Sequence, residues 1–178
     1  EKSTQKIAVI AGAGPAGLSA AIKIMQIAQI EGLETTVCVV EKGSEVGAHI
    51  LSGNVFETKS LDELIPNWKE LDSPVETKVN SEEFLFLTKE KSYRVPNFFL
   101  PKSLQNHNNY IISLSNFCKW LGEYAENLGV EIFPGFAASK ILYNSNNEII
   151  GVQTGDMGLD KENNKKENFE PGINVLGK

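Results

Sequence analysis

The chain carries Ile-Ala-Val-Ile-Ala-Gly-Ala-Gly-Pro-Ala-Gly at residues Ile7–Gly17. The apolar first half predicts a buried strand, and Gly12, Gly14 and Gly17 supply the spacing G-x-G-x-x-G immediately before a helical pattern. In this context Gly12 is expected to turn the chain, Gly14 to let the backbone approach a diphosphate, and Gly17 to let the helix pack closely on the sheet. The stretch therefore predicts a dinucleotide-binding βαβ unit.

The predicted helix runs from about Pro15 to Glu31, and Gly32 is expected to end it. Pro15 suits the first helical position because it has no N–H group that needs a partner. Together with Ala16 it opens the turn whose free N–H groups and positive dipole end would face the phosphates. The apolar positions recur at helical spacing and predict one face packed on the sheet: Leu18, Ala21, Ile22, Met25 and Ala28.

A second buried strand is predicted at residues 36–40, Thr-Val-Cys-Val-Val, and it is followed by Glu41, 24 residues after Gly17. A carboxylate at this place accepts hydrogen bonds from ribose hydroxyls and repels a 2′-phosphate. An adenosine without that phosphate is therefore expected. The order of strand, helix, strand and acid favours this interpretation over a glycine-rich turn in an ordinary α/β unit.

The composition bounds the possible functions of the 178 residues. A hydrophobic content of 41% is enough for the core of one domain or for part of a larger one. The net charge is −6 and no basic stripe is present, so nucleic acid is not predicted as a partner. No apolar run approaches the roughly 20 residues of a membrane-spanning helix. The polar segment Glu1–Lys6 leads straight into the first strand, so a signal or transit peptide is not expected.

The two cysteines, Cys38 and Cys118, are far apart in sequence and have no partner at metal-binding spacing. Both are interpreted as small core residues in a reducing compartment rather than as redox groups or metal ligands. No residue of the chain is predicted to be a catalytic acid, base or nucleophile.

The loop after Glu41 and Lys42 is rich in small residues and contains one histidine. Its small residues are Gly43, Gly47, Ala48, Ser52 and Gly53. Such a loop can run close beside an extended ligand, although a flexible connection fits the composition equally well. His49 is compatible with a place near a redox ring and with a turn histidine bonded to the backbone.

Several blocks of sequence are similar to the electron transfer flavoprotein:ubiquinone oxidoreductase family. They are Gly12–Ala21, Val-Glu-Lys at residues 40–42, Gly-Ala-His-Ile-Leu-Ser-Gly at residues 47–53, Ile-Pro-Asn-Trp-Lys at residues 65–69, residues 84–88, Tyr-Arg-Val-Pro at residues 93–96, Asn-His-Asn-Asn-Tyr-Ile at residues 106–111, and residues 128–138. The resemblance covers essentially the whole chain. The blocks at 47–53 and 106–111 are more particular to the family than the first one, which many flavoproteins share.

The resemblance implies an α/β fold of the glutathione-reductase type, with a Rossmann-like parallel sheet, a β-hairpin and meander insertion, and FAD as cofactor. Gly12, Gly14 and Gly17 would hold the diphosphate, Glu41 the ribose, and residues 47–53 the ribityl chain and flavin ring. The backbone at Ala137 or Ala138 would contact the adenine. Ser113 stands where related flavoproteins usually have an arginine, which puts a cationic contact there in doubt.

The resemblance also implies the family's partners and place. Its members pass electrons from electron transfer flavoprotein to ubiquinone at the matrix face of the mitochondrial inner membrane, using FAD and a four-iron four-sulfur cluster. The cluster is expected only in the full-length protein, because the chain has two cysteines. The chain is interpreted as an N-terminal fragment that is inactive alone. The alternatives are a geranylgeranyl-reductase-like or other quinone-linked FAD dehydrogenase, and a nucleotide-binding scaffold without turnover.

A surface element is predicted within residues 84–104. Two strands, Phe-Leu-Phe-Leu-Thr at 84–88 and Ser-Tyr-Arg-Val at 92–95, lead into Pro-Asn-Phe-Phe-Leu-Pro at 96–101. The prolines exclude this tip from a central strand, so Phe98, Phe99 and Leu100 are expected to be exposed, beside basic residues. The tip is interpreted as a peripheral membrane contact; a cover for the flavin or for another domain is the alternative. Residues 54–71 are expected to be partly helical and to pack in the core through Leu61, Leu64, Ile65 and Trp68.

The whole chain, residues 1–178, is interpreted as one partial FAD-binding domain. Its parts are a nucleotide-binding core at 5–53, the apolar hairpin at 84–104 and a last part at 113–178. Ser115 is expected to cap a helix to Leu128 that packs on the sheet face opposite the first helix, and residues 130–133 to form a third parallel strand. Residues 136–143 and 148–154 predict a hairpin, residues 156–172 a mobile charged loop, and residues 173–176 a further strand.

Overall fold

The computed structural model describes residues 6–51 and 53–177. These residues divide into two compact units. The first unit takes the described residues up to Ile50 together with those from Cys118 onward, and the second unit takes Leu51–Phe117. Among the described residues, no helix is both long enough and apolar enough to span a bilayer.

Short strands and helices follow one another along the described residues. In chain order they are β1 (Lys6–Ala11), α1 (Pro15–Glu31), β2 (Thr35–Glu41), β3 (Asn54–Phe56), α2 (Lys59–Leu64), β4 (Thr77–Lys78), β5 (Phe84–Leu87), β6 (Ser92–Val95), β7 (Tyr110–Ile112), α3 (Leu114–Asn127), β8 (Glu131–Pro134), β9 (Ala138–Tyr143), β10 (Ile149–Thr154), β11 (Met157–Leu159), β12 (Lys165–Glu170) and β13 (Asn174–Leu176). Short 3-10 turns lie at Trp68–Glu70, Asn97–Phe99 and Lys102–Leu104.

The first unit is built on a parallel sheet in the order β1-β2-β8. Helix α1 has the predicted bounds, with Pro15 in its first turn and Gly32 in the left-handed conformation at its end. Most of the apolar face predicted for α1 is buried. The buried residues of β2 lie between two parallel neighbours, which is why this strand is apolar on both faces. The α/β fold with a parallel sheet is therefore confirmed.

The expectation that α1 and α3 lie on opposite faces of the sheet is wrong. Ile10, Val39 and Ile132 are aligned across the three strands and share one face. On that face Ile10 lies against the first turn of α1, and Ile132 lies beside Gly122 of α3. Right-handed crossovers that advance in one direction across a sheet put their helices on the same face, and this order of strands requires it.

The opposite face of the parallel sheet lies toward an antiparallel meander in the order β13-β10-β9. A cavity of about 450 Å³ between them is lined by Cys38 and Phe133 of the sheet and by Thr154 and Val175 of the meander, among other residues. The predicted hairpin of β9 and β10 and the predicted strand β13 are confirmed.

The expectation of a mobile loop at residues 156–172 is wrong, because β11 and β12 pair there as an antiparallel hairpin. Asp160 closes its turn by accepting hydrogen bonds from the backbone N–H groups of Glu162 (2.9 Å) and Asn164 (2.8 Å). The charged sequence shows no strand pattern here, because turn residues and side-chain caps stabilise this hairpin rather than the burial of apolar side chains.

The second unit contains the small antiparallel sheet β3-β7-β4, which the sequence did not predict. Helix α2 and the turn after it bury Leu61, Ile65 and Trp68, as expected, whereas Leu64 is half-buried. The indole N–H of Trp68 donates to Asp62 Oδ1 at 2.7 Å, and the Trp68 ring meets Tyr110 of β7 edge to face.

The predicted hairpin of β5 and β6 is confirmed, and its apolar side chains are exposed except for Val95, which is half-buried. In the segment that follows, Phe98 and Phe99 are 78% and 70% exposed with ring centroids 4.1 Å apart, whereas Leu100 is half-buried. Leu100 therefore contributes less apolar surface than expected.

Candidate functional site

The glycine loop between β1 and α1 has the conformation that its sequence predicts. Gly12 adopts a φ of +103°, which favours glycine, and its N–H donates to the carbonyl oxygen of Val40 at 2.8 Å. A Cβ on Gly17 would collide with the carbonyl oxygen of Gly12 and come within 3.2 Å of Ile10 Cγ2. Gly17 is therefore required by the packing of the helix on the strand. A Cβ on Gly14 would meet no atom within 4 Å, so the space in front of Gly14 is open.

The first turn of α1 opens onto that space. Gly14 is the N-cap residue, with φ −81° and ψ 178°, and it has no side chain with which to cap the helix. Pro15 has no N–H, and the N–H groups of Ala16 and Gly17 have no partner within the helix because they belong to its first turn. Together with the helix dipole, they make this end suitable for an anion.

Glu41 lies at the end of β2 with both carboxylate oxygens fixed. Its Oε2 accepts a hydrogen bond from the backbone N–H of Ala13 at 2.7 Å, and its Oε1 accepts one from the N–H of Gly43 at 2.7 Å. Each carboxylate oxygen can accept about two hydrogen bonds, so acceptor capacity is left. The carboxylate therefore faces the glycine loop.

A cavity of about 240 Å³ lies between the glycine loop and the meander. It is lined by Ala11, Gly12, Val40, Glu41, Lys42, Ala137 and Ala138. Sites for whole drug-sized ligands are larger, roughly 300–1,000 Å³, so this cavity suits one part of an extended ligand. Of the predicted site residues, Gly12, Glu41, Lys42 and Ala138 line this cavity, and the bond from the Ala13 N–H holds Glu41 beside the loop that leads into α1.

The predicted residues of the following loop lie elsewhere. Gly47 is buried with φ +87°, and its carbonyl oxygen accepts from the N–H of Ile50 at 3.2 Å, whereas Ala48 and His49 are exposed. None of the three lines the 240 Å³ cavity. Ser52 lies outside the described residues. Gly53 belongs to the second unit, where its N–H donates to the carbonyl oxygen of Ile112 at 3.3 Å.

Both thiols are buried, in agreement with their interpretation as core residues. Burial, assisted by the negative charge of Glu131, raises the pKa of Cys38. Burial, assisted by Glu41, raises the pKa of Cys118 to about 11. Both therefore stay protonated near neutral pH and are poor nucleophiles. Within the part of the chain that the structure describes, no cluster of side chains is suited to hold a metal ion.

The N-terminal cap of α3 is a correction to the sequence analysis. Ser113 precedes the helix, and its hydroxyl accepts a hydrogen bond from the N–H of Asn116 at 3.3 Å, whereas Ser115 lies inside the first turn. Ser113 therefore caps the helix.

The sequence predicted Gly43 only as one small residue of a loop beside the ligand, and Ala137 or Ala138 as the adenine contact; it did not single out Ala13. In the structure Ala13 and Gly43 contribute backbone N–H groups to Glu41, and Ala137 lines the cavity beside Ala138. The contact of Ala13 could not be predicted from its side chain, because every residue except proline carries a backbone N–H.

Comparison with known proteins finds relatives that are similar over almost the whole chain. No family model matches it. The chain is 55% identical over 172 residues to the electron transfer flavoprotein-ubiquinone oxidoreductase of Pseudomonas aeruginosa, which covers 96% of the chain and 31% of that protein. It is 50% identical over 170 residues to the mitochondrial protein of the same name from Arabidopsis thaliana, covering 96% of the chain and 26% of the relative. The chain matches the N-terminal part of these relatives. It thus spans between 26% and 31% of the length of these two relatives.

Solved structures of more distant proteins support the fold. The flavin-dependent halogenase CmlS superposes with a TM-score of 0.63 at 15% identity, over 97% of the chain and 28% of that protein. CtdE, solved in complex with FAD, gives 0.57 at 21% identity over 85% and 35% of the two chains. A geranylgeranyl bacteriochlorophyll reductase-like protein from Thermoplasma acidophilum gives 0.54 at 16% identity over 97% and 38%. At these identities the likeness is one of fold alone.

Proposed function

We propose that the chain is a partial FAD-binding domain of an electron transfer flavoprotein-ubiquinone oxidoreductase, with electron transfer flavoprotein and ubiquinone as the redox partners of the whole enzyme. The observation that carries the proposal is the bond between Glu41 and the N–H of Ala13, which holds an acid beside the open helix end. The identity of 50–55% to relatives named for this activity supports it. The geranylgeranyl-reductase-like alternative has only a likeness of fold in its favour.

The residues present fit the ADP part of FAD. The open space in front of Gly14 admits a diphosphate, the N–H groups of Ala16 and Gly17 donate to its oxygens, and Pro15 fixes the turn. Glu41 holds the ribose, and Lys42 and Ala138 border the adenosine cavity. Gly47, Ala48, His49, Ser52 and Gly53 are proposed for the flavin side on the resemblance alone. FAD supplies the redox chemistry when bound, and the chain's residues bind and orient it.

A chimera tests the proposed activity. The 172 matching residues of this chain would replace the corresponding segment of the Pseudomonas aeruginosa relative. Bound flavin and the reduction of a ubiquinone analogue by electron transfer flavoprotein would then be measured. We expect a yellow chimera with activity, and a chain that binds flavin without turnover when tested alone. A chimera that folds but holds no flavin would overturn the proposal. One that holds flavin but does not reduce the quinone would favour the scaffold alternative.

The iron–sulfur cluster is proposed for the part of the whole enzyme that the chain does not match. A cluster with four cysteine ligands needs more thiols than Cys38 and Cys118 provide, and both of these are buried. We expect analysis to find iron and acid-labile sulfide in the chimera but not in the isolated chain.

We also propose peripheral membrane association at the matrix face of the mitochondrial inner membrane. The exposed rings of Phe98 and Phe99 and the exposed apolar hairpin β5–β6 support a lipid contact. Arg94 forms an exposed ion pair with Glu83 at 3.3 Å. Lys102 is therefore the basic residue beside the tip that is proposed to meet anionic lipid. Two rings at roughly 1.5–3 kcal/mol each, reduced by about half for shallow insertion, and about 1 kcal/mol for Lys102 over anionic lipid total roughly 3 kcal/mol. Such binding is reversible.

The location at the mitochondrial inner membrane is proposed from the mitochondrial relatives, such as the one that is 50% identical to the chain. A bacterial relative is 55% identical.

Flotation with vesicles of phosphatidylcholine and phosphatidylglycerol tests the membrane contact. Phe98→Ser with Phe99→Ser should abolish flotation of the chimera. Ile30→Ser is the matched control, because Ile30 is 81% exposed on α1 in the first unit. Equal flotation of the double variant and the control would place the anchor elsewhere.

A further inference from the structure

The residue after Lys42 has a more specific position than a flexible loop requires. Gly43 is buried, and its N–H donates to Glu41 Oε1 at 2.7 Å. Its carbonyl oxygen accepts a hydrogen bond from the N–H of Gly135 at 2.7 Å. Gly43 therefore connects the end of β2 with the turn that follows β8.

These two bonds reach two walls of the 240 Å³ cavity. Through its N–H, Gly43 fixes the Glu41 carboxylate, whose other oxygen holds Ala13 of the glycine loop. Through its carbonyl, Gly43 holds Gly135, and the chain continues from there to Ala137 and Ala138 on the facing wall. One residue thus ties both walls together.

The fit around Gly43 is too tight for a side chain to enter without displacing its neighbours. A Cβ there would lie 3.0 Å from the carbonyl oxygen of Glu45 and 3.1 Å from Glu41 Oε1. Both distances are shorter than ordinary carbon contacts, so these oxygens would have to move by a few tenths of an ångström. The Gly43 backbone is not in the left-handed region, so an alanine there would act through contact with its neighbours rather than through φ.

We propose that Gly43 is a positioning residue of the nucleotide site: it aims the Glu41 carboxylate so that its remaining acceptor capacity faces the ribose hydroxyls. The inference rests on the proposed function and names a determinant of ribose recognition within it. A hydrogen bond to a charged group contributes more than one between neutral groups and depends on direction, so a small displacement of the carboxylate weakens it.

The test compares ADP with its 2′,3′-dideoxy analogue, which lacks the ribose hydroxyls. Dissociation constants would be measured for the ¹⁵N-labelled chain by NMR titration, which registers weak binding. In the parent chain ADP should bind about tenfold more tightly than the dideoxy analogue, the usual size of a charged hydrogen bond. Gly43→Ala should bring this ratio to within about threefold of unity and leave binding of the dideoxy analogue almost unchanged.

Two further variants separate positioning from general damage. Glu41→Gln should lower the ratio in the same way, and the double variant should lower it no further, because both act through one carboxylate. Gly122→Ala is the matched control, since a Cβ on Gly122 of α3 meets only ordinary contacts at 3.5 Å and beyond, and it should keep the parent ratio.

The outcomes distinguish this inference from the proposed function. A parent chain that binds neither nucleotide would overturn the nucleotide function itself. A parent chain that binds both equally, or a Gly43→Ala variant that keeps the parent ratio or weakens both ligands alike, would overturn the role of Gly43 and leave the function standing.

Discussion

Gly14 and Gly17 belong to the same loop but differ in the space around their α-carbons. A Cβ on Gly17 collides with the Gly12 carbonyl, whereas a Cβ on Gly14 enters open space. We expect Gly17→Ala to lower the free energy of unfolding by about 1–3 kcal/mol, the usual cost of overpacking. Denaturant unfolding followed by circular dichroism measures this.

Gly14→Ala should have the complementary effect. The extended backbone of Gly14 accepts alanine, so stability should stay within about 0.5 kcal/mol of the parent. The new methyl group would occupy the space proposed for the diphosphate, and affinity for FAD should fall by about tenfold or more. Quenching of flavin fluorescence measures the affinity. An unchanged affinity would mean that the diphosphate does not pass in front of Gly14.

Some of the roles of these residues could be predicted from the sequence and others could not. The roles of Gly12 and Gly17 follow from their spacing, because only glycine supports that turn and that close approach. The partners of Glu41 do not, since any residue carries a backbone N–H and only the folded loops decide that Ala13 and Gly43 present theirs.

Among the elements, the β11–β12 hairpin depends on one side chain at its turn. Hydrogen bonds from the backbone and side chain of Asn164 lower the pKa of Asp160, because these donors favour the ionised carboxylate. Asp160→Ala should speed amide hydrogen exchange throughout residues 157–170 and leave exchange in α1 unchanged. Slower or equal exchange in the hairpin would show that other contacts hold it.

Helix α2 is tied to the turn after it by Asp62 and Trp68, and this link should depend on pH. The indole hydrogen bond, more than that of Thr58, lowers the pKa of Asp62 below its ordinary value. A carboxylate with a depressed folded pKa contributes stability that is fully present above its unfolded pKa, near 3.9, and is lost as pH falls through the folded value.

We therefore expect Asp62→Ala to destabilise the second unit above about pH 4, by less than about 1 kcal/mol because the carboxylate is exposed, and to matter progressively less at lower pH. Unfolding followed by Trp68 fluorescence in a Trp120→Phe background measures this. Asp62→Asn is the control that keeps an acceptor without the charge. A difference between variant and parent that persists at pH 2 would contradict the assignment.

Elements were predictable where local pattern decides them. The bounds of α1 followed from Pro15, Gly32 and the apolar spacing, and the hairpins of β5–β6 and β9–β10 followed from their strands and turns. The sheet β3-β7-β4 was missed because strands of two or three residues carry no periodicity and pair over long distances. The face of the sheet on which α3 packs was predicted wrongly, because it depends on the order of the strands rather than on the sequence of the helix.

At the scale of the whole molecule, one unit carries the proposed adenosine and diphosphate site. All residues that line the 240 Å³ cavity, and the first turn of α1, belong to the first unit. The exposed aromatic tip belongs to the second unit. Nucleotide binding and membrane contact are therefore separable by substitution, and Gly14→Ala should leave vesicle flotation unchanged while Phe98→Ser with Phe99→Ser leaves ADP affinity unchanged.

A crystal structure of the chain with ADP would test the claim that a nucleotide diphosphate binds on the first turn of α1 with its ribose at Glu41. We predict diphosphate oxygens within about 3 Å of the Ala16 and Gly17 nitrogens and ribose hydroxyls at hydrogen-bond distance from the Glu41 carboxylate. ADP bound at another place, or at the helix end with Glu41 turned away from the sugar, would contradict the claim.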